Sequence, residues 1–288
     1  MENYNNLLTY TVPEADNGIS LLKFLKAQGY PDHFLISLKK GGVTVNGSFH
    51  RMIDPVAKDD YIEITFPWEE PTLKANPALN IPILYEDDDM LIFNKPINIL
   101  VHPASPKFDD AIGNYFTYLH PHRLFRPIGR LDRNTTGTSL VAKNRLTATL
   151  LKNTTKKTYT AIVEGILSDN IGTINAPLIR VSGETIKRAV HPEGQTAITH
   201  YQILQKLKHH TLVSVNLETG RTHQIRAHFS YIGHPLAGDT LYGGNIHFIE
   251  RQALHCHTMI LTQPTTKKVI TVMAPLPEDI QKVIMTDI

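Results

Sequence analysis

The chain has almost no cysteine. Its one thiol, Cys256, has no partner for an intramolecular disulfide and cannot make a multi-cysteine zinc site. Long apolar runs are missing too. Stretches such as Met90 to Phe93 and Ile99 to Val101 fall far short of the roughly 18–20 residues of a membrane span. Met1-Glu2-Asn3-Tyr4-Asn5-Asn6 has neither the basic nor the apolar region of a secretory signal. There is no internal repeat, low-complexity tract, Gly-rich dinucleotide fingerprint or P-loop. These absences set the expectation of a soluble cytoplasmic protein with no membrane contact. What is present is a globular composition: 288 residues, 41% hydrophobic and 19% charged. Such a chain can bury a core, and its length is a prior for two domains.

The formal net charge is only +2, but it is unevenly spread. Between His120 and Lys157 lie Arg123, Arg126, Arg130, Arg133, Lys143, Arg145, Lys152, Lys156 and Lys157, with one acid, Asp132, for a local net of +8. The preceding Leu84 to Asp89 is acidic, with Glu86, Asp87, Asp88 and Asp89. A basic stretch in a nearly neutral chain suits a polyanion such as nucleic acid. A solvated face fits the charge equally well. One carboxylate isolated among so many cations is the narrower clue.

Residues 1–68 read as a small unit. Leu21, Leu22, Phe24 and Leu25 suit a short amphipathic helix within Gly18 to Ala27. Asp32, after Tyr30-Pro31, is a candidate N-cap for a second helix carrying Phe34, Leu35 and Leu38 and ending near Lys40 at Gly41-Gly42. Val43-Thr44-Val45-Asn46-Gly47 is a strand entering an Asn-Gly hairpin, and Tyr61 to Phe66 alternates as a further strand. The helix pair, the Gly-Gly-Val-Thr-Val-Asn-Gly run and Lys58-Asp59-Asp60 together resemble the S-four-like RNA-binding module, named after a small-subunit ribosomal protein. That family usually starts its second helix with Ser-Arg or Ser-Lys, where this chain has His33-Phe34-Leu35. The likeness makes Lys23, Lys26, Lys39, Lys40 and Arg51 an expected RNA-docking surface.

Residues 69–80, with Glu69, Glu70, Pro71 and Pro77, read as a linker following Pro67 and Trp68. From 81 to 288, strand patterns (Thr158 to Glu164, Thr211 to Leu217, Lys268 to Met273) mix with helical ones (Arg145 to Lys152, Thr222 to Ile232). The mixture predicts an α+β domain around a sheet with flanking helices.

Three segments carry chemistry. In Gly129-Arg130-Leu131-Asp132-Arg133-Asn134-Thr135-Thr136-Gly137, a loop displays Asp132 before an apolar strand. Guanidinium neighbours favour its ionised form, suited to a nucleophile or a general base. A loop aspartate that merely bridges two arginines is the plainer reading. Lys157-Thr158-Tyr159-Thr160-Ala161-Ile162-Val163-Glu164 has period two, with Tyr159, Ala161 and Val163 on one face. Tyr159 is either a core residue or a platform for a base. Finally, Gly220-Arg221-Thr222-His223-Gln224-Ile225-Arg226 leads into a helix, with Thr222 as expected N-cap and Ile225, Phe229 and Ile232 as its buried stripe. Arg221 and the free donors at this helix start suit a phosphate, and Arg226 lies one step round from the stripe.

Together these segments resemble the RluA-type family of RNA pseudouridine synthases over nearly the whole chain. Asn94-Lys95-Pro96, Val101-His102-Pro103, His234-Pro235-Leu236-Ala237-Gly238-Asp239 and Arg251-Gln252-Ala253-Leu254-His255 extend the likeness in the family's order. The resemblance implies isomerisation of uridine to pseudouridine, ribosomal RNA of the large subunit ahead of transfer RNA, no cofactor, and a monomer. It implies a mixed, largely antiparallel sheet. It makes Asp132 the catalytic aspartate, Tyr159 the stacking tyrosine whose hydroxyl assists proton removal at carbon five, and Arg226 the partner of the aspartate. Ile225 then packs beside the target base and Arg130 fills the space left by the flipped nucleotide. Arg133, Arg221 and Thr222 complete the expected substrate contacts. The chain departs from the family at Gly129 (commonly His), Thr136 (Ser) and Asn98 (Gly).

Three other classes compete with this reading. A purely RNA-binding protein has no need of the Asp132–Tyr159–Arg226 set. A glycoside hydrolase usually pairs two carboxylates, and no second acid accompanies Asp132 in its motif. For a metal enzyme, His255 and His257 flank Cys256 on one strand, and His223 to His228 is spaced by five rather than the zincin four.

Overall fold

A computed structural model describes residues 7–39, 42–66, 69–152, 154–184 and 186–287. The expected end of the second helix at Lys40-Gly41, the opening Met1 to Asn6 and Pro67-Trp68 lie outside the described residues.

The first unit comprises β1 (Leu7–Thr11), α1 (Leu21–Ala27), α2 (Asp32–Leu38), β2 (Val43–Val45), β3 (Ser48–Phe49) and β4 (Tyr61–Thr65). Its sheet has the order β1-β4-β2-β3. Ser20 caps α1 by accepting from the Lys23 amide. Asp32 is not the cap of α2: Pro31 holds that place, and Asp32 opens the first turn as an acid at the positive end of the helix. Asn46 (φ 51°) and Gly47 (φ 76°) are both left-handed, as a two-residue hairpin turn demands. In β4 the alternation buries Ile62 and Ile64 against Phe24, Leu25, Phe34 and Leu35. Each such side chain contributes about 1.5–3 kcal/mol by burial.

The second unit holds β5 (Ile83–Glu86), β6 (Met90–Lys95), α3 (Ile112–Leu119), β7 (Arg126–Ile128), β8 (Thr136–Ala142), α4 (Arg145–Leu151), β9 (Lys156–Glu164) and β10 (Ile171–Asn175). It continues with β11 (Leu178–Arg180), β12 (Arg188–Val190), β13 (Ile198–Lys206), β14 (His210–Leu217), α5 (Gln224–Tyr231), β15 (Leu254–Thr262), β16 (Val269–Met273) and α6 (Glu278–Thr286). Ten strands form one sheet in the order β10-β13-β14-β9-β15-β8-β6-β5, with β16 on β15 and β7 on β8. All pairings are antiparallel except β15 with β8. The sheet is therefore mixed and largely antiparallel, with flanking helices. Period-two alternation divides the core. Phe93, Val141, Tyr159, Val163 and Val215 pack with Ile225 and Phe229 of α5 and with Phe116 of α3. Met90, Ile92, Leu140 and Met259 belong to a separate cluster, as do Ile162, Ile280 and Val283, the latter two from α6.

Two expectations change in space. The Pro-containing stretch after residue 68 is docked rather than loose: Leu73 and Leu79 pack on the core and Lys74 pairs with Asp109 at 2.6 Å. Glu69 pairs with Arg126, and the Asn76 amide bonds the Asn114 carbonyl. Moreover, Leu146 and Leu150 of α4 pack into the first unit's core, and Arg145 lies 5.2 Å over the Phe34 ring. The units share packing because α4 offers apolar residues to both.

Much of the basic stretch is spent internally. Lys143 is buried on Glu86 (2.6 Å) and the Asp87 carbonyl, His120 meets Glu86, and Arg123 bonds the Asp88 carbonyl. The acidic turn neutralises the cations that follow it in sequence. Arg130, Arg133, Lys152 and Lys156 stay exposed.

Candidate active site

The site forms where the loop before β8, the start of β9 and the N-terminal end of α5 converge. Gly137 lets β8 approach β15: its φ is +109°, and a Cβ there would run into the Cys256 backbone. Thr136 bonds its hydroxyl to His255 Nδ1 at 2.8 Å, and the Thr135 amide closes a turn on the Asp132 carbonyl. Under this turn lies Lys95, wholly buried, donating to the carbonyls of Pro96 (2.8 Å), Ile99 (2.6 Å) and Arg133 (2.7 Å). Burial pulls its ammonium down to about 7, against the pull of the Asp132 charge.

The cation that touches Asp132 is Arg226, 94 residues away, and neither neighbour in the motif. Arg226 Nη1 donates to Asp132 Oδ2 at 3.2 Å, while Nε and Nη2 grip both oxygens of buried Asp239 at 2.6 and 2.8 Å. Burial works against the guanidinium's charge, but the bonds and charge of Asp239, aided by Asp132, raise its pKa above the ordinary arginine value. The bidentate pair holds the planar fork fixed. A second contact to Oδ2 comes from His223 Nε2 at 3.6 Å.

Tyr159 faces the same cleft, with its hydroxyl beside Cys256. Burial first, then the neighbouring Cys256 and Asp132, push that hydroxyl well above the usual tyrosine range. That shift keeps the phenol protonated in the closed cleft. The ring remains available as an apolar platform.

Arg130, Asp132, Tyr159, Arg221, Ile225 and Arg226 line one cleft, with Leu131, Leu217 and Leu254 as apolar wall. Its volume is about 60 Å³. Arg133 is exposed and Thr222 half-buried, and neither lines the cleft. Thr222 is not the N-cap either. Helix α5 begins at Gln224 after His223, which is left-handed (φ 54°). Gln224 does the tying instead: its Oε1 accepts from the Arg221 amide and the Thr219 hydroxyl. Arg221 Nε is occupied by the Thr196 carbonyl at 3.1 Å.

Sequence reasoning missed His223, Asp239, Lys95 and Gln224 as parts of the site. All lie within quoted motifs, but their partners are distant in sequence. Asp239 is the second acid, and it sits behind Arg226 rather than across the cleft, unlike the facing carboxylates of a hydrolase. His255 and His257 spend ring nitrogens on Thr136 and on the Ala274 carbonyl. Among the described residues no cluster of three His, Cys, Asp or Glu side chains is placed to hold a metal ion.

A family described as RNA pseudouridylate synthase matches residues 89–231. An RNA pseudouridine synthase of Bacillus subtilis, YjbO, is 38% identical, covering 89% of this chain and 95% of that protein. Ribosomal large subunit pseudouridine synthase D of Haemophilus ducreyi is 37% identical over 90% of this chain and 88% of its own. The chain belongs to the RluA-type RNA pseudouridine synthases. The solved structure of Human RNA Pseudouridylate Synthase Domain Containing 1 agrees, with a TM-score of 0.58 and 25% identity over 70% of this chain and 86% of that one.

The synthase's departures from its family now have local reasons. Asn98 is left-handed at φ 60°, a conformation that asparagine tolerates. Gly129 is also left-handed (φ +75°), and a Cβ there would lie 3.1 Å from Lys157 Nζ, which donates to the Ile128 carbonyl. Lys157 thus occupies space that a side chain at 129 would need.

Proposed function

We propose that this synthase isomerises specific uridines in structured RNA, large-subunit ribosomal RNA ahead of transfer RNA, working as a cytoplasmic monomer without a cofactor. The choice of RNA rests on relatives named for the ribosomal large subunit. The chemistry rests on one observation: Asp132, fixed by Arg226, shares a cleft with Tyr159.

The target uridine leaves its stack at a cost of a few kcal/mol. Exposed Arg130, at the cleft, offsets this by filling the vacancy, and Arg133 and Arg221 supply positive charge for the flanking phosphates. Thr222 contributes through the backbone path that brings His223 to the cleft. Asp132 then attacks the ribose at carbon one, or takes the carbon-two proton so that a glycal forms. Either way the glycosidic carbon–nitrogen bond breaks. The freed uracil turns against the Tyr159 ring and the Ile225 side chain and presents carbon five to carbon one of the sugar. As that bond forms the aspartyl ester breaks, or the glycal takes its proton back from Asp132. The carbon-five proton then leaves past the Tyr159 hydroxyl to the freed Asp132 carboxylate or to water, while ring nitrogen one takes up a proton. The 1–68 unit, like the S-four module it resembles, docks structured RNA and raises affinity rather than rate.

Asp132→Asn tests the reading. It keeps size and hydrogen bonding, so RNA affinity stays within about 3-fold while turnover falls by at least about 10⁴. Pseudouridine formed by the variant at the wild-type rate in single-turnover assays would refute the assignment. Pseudouridine maps of RNA from cells with and without the protein identify the target.

A further inference from the structure

Both groups that touch Asp132 rest on one residue outside the cleft. Tyr242, buried at the end of the short turn Thr240–Tyr242, sends its hydroxyl to His223 Nδ1 at 3.1 Å. Its ring lies under the Arg226 guanidinium, 5.0 Å from centroid to carbon. The phenol oxygen accepts the Arg188 amide at 2.9 Å, and Nδ1 is the acceptor in contact with the hydroxyl among the described residues. A buried hydroxyl proton is paired wherever an acceptor is at hand, which assigns Tyr242 as the donor to Nδ1 and leaves the neutral imidazole's own proton on Nε2. That proton faces Asp132 Oδ2 across 3.6 Å. Such a spacing is long for a hydrogen bond, and contacts of this kind tighten when substrate binds.

The backbone gives a second observation. His223 adopts φ 54°, a region that a bulky side chain enters at a cost, and this turn aims the ring at the cleft. A residue whose only task was to start α5 would need neither that strain nor a buried ring. The carboxylate is left asymmetric: Oδ2 receives Arg226 and faces His223, while Oδ1 receives no bond among the described residues. Burial draws the imidazole below its ordinary range against the pull of Asp132, which favours the neutral donor.

We propose that His223, oriented by the Tyr242 hydroxyl, is a positioning residue that holds Asp132 Oδ2 so that Oδ1 is the oxygen offered to the ribose. This rests on the reading that Asp132 carries the chemistry. Positioning within a few tenths of an ångström governs the rate of a step whose reactants are already bound, so the cost of losing it falls on turnover rather than on affinity.

His223→Asn is the test, because asparagine tolerates left-handed backbone and removes the Nε2 donor. Tyr242→Phe keeps the ring beneath Arg226 and removes only the hydroxyl. Single-turnover rates at saturating enzyme, RNA binding and thermal midpoints are measured for each variant and for the double variant. We expect a rate about 10- to 100-fold lower for His223→Asn and about 5- to 20-fold lower for Tyr242→Phe, with binding within about 2-fold. The double variant should be no slower than His223→Asn alone, since both changes disable one relay. A wild-type rate in either variant, a loss confined to RNA affinity, or losses that multiply in the double variant would each overturn the proposal. If His223→Asn fails to fold, Tyr242→Phe alone decides by the same split between rate and affinity. Turnover by Asp132→Asn would sink the parent reading instead, whatever the His223 result.

Discussion

The cleft at Asp132 and the seam under α6 contain the same device put to different uses. In the cleft, Arg226 gives Nε and Nη2 to both oxygens of Asp239, at 2.6 and 2.8 Å. At the seam, Arg251 gives Nε and Nη2 to both oxygens of Asp279, at 2.6 and 2.9 Å. The two differ in the third nitrogen. Arg226 Nη1 reaches the Asp132 carboxylate, whereas Arg251 Nη1 takes the backbone carbonyls of Asn134, Gln252 and Leu254. One arginine holds the carboxylate that lines the cleft; the other holds the far end of the same loop to the C-terminal helix. A buried bidentate pair is thus a neutral fitting, and what its spare nitrogen touches decides its role.

Replacing each arginine by lysine separates the two uses. Arg226→Lys keeps a charge beside Asp239 but cannot also reach Asp132 in the same plane. Its turnover should fall about 10²- to 10³-fold, the scale for losing a fixed hydrogen-bond donor at a reacting centre. Arg251→Lys should instead cost about 2 kcal/mol of stability in urea titration, below the 3–5 kcal/mol of a fully buried break, because Asp279 is 38% exposed. Its rate per folded molecule should stay within about 5-fold. If Arg251→Lys loses rate as Arg226→Lys does, the distinction between the two regions is wrong.

A smaller effect tests the wall facing Arg226. Tyr159→Phe retains the ring and drops only the hydroxyl beside Cys256, so base stacking survives. Product formation should slow about 10-fold with RNA binding unchanged. A wild-type rate would confine the hydroxyl to packing against Cys256.

The parts of this arrangement that are local were legible in the sequence. The Asp132 loop, the face shared by Tyr159, Ala161 and Val163, and the Ile225–Phe229 stripe all follow from periodicity and turn residues over short windows. The largely antiparallel sheet and its helices were expected too. What escaped were the partners. Asp132 has Arg130 and Arg133 beside it in sequence, yet neighbouring side chains diverge, and the contact comes from Arg226. Asp239 looked remote from Asp132 because the arginine between them joins the two only after folding. The net +8 between His120 and Lys157 suits a polyanion or a solvated face equally in sequence; in space Glu86 and its neighbours absorb part of it. Thr222 had the chemistry of a cap, but His223 in a left-handed conformation moved the helix start. Long-range electrostatic pairing leaves no periodic trace, so neither charge counting nor spacing recovers it.

Lys95 gives the comparison its third buried cation and its smallest test. Like Arg251 it holds the Asp132 loop by a carbonyl, that of Arg133, but among the described residues it has no carboxylate in ion-pair contact. Arginine cannot shed its proton in such a place; lysine can, and burial draws it to about 7. Between that value and the ordinary 10.5 the folded protein binds fewer protons at this site than the unfolded chain does. Stability from Lys95 is therefore lost as pH falls through about 7 and is fully present only above the unfolded value. Lys95→Met removes this dependence while leaving three carbonyls without a donor, so the variant is less stable throughout. The gap between wild type and variant should widen from pH 7 toward pH 10, with a slope approaching about 1.4 kcal/mol per pH unit. Urea midpoints at several pH values measure it. Parallel curves would mean that Lys95 stays charged like the two arginines, and that burial without a carboxylate is not what distinguishes it from them.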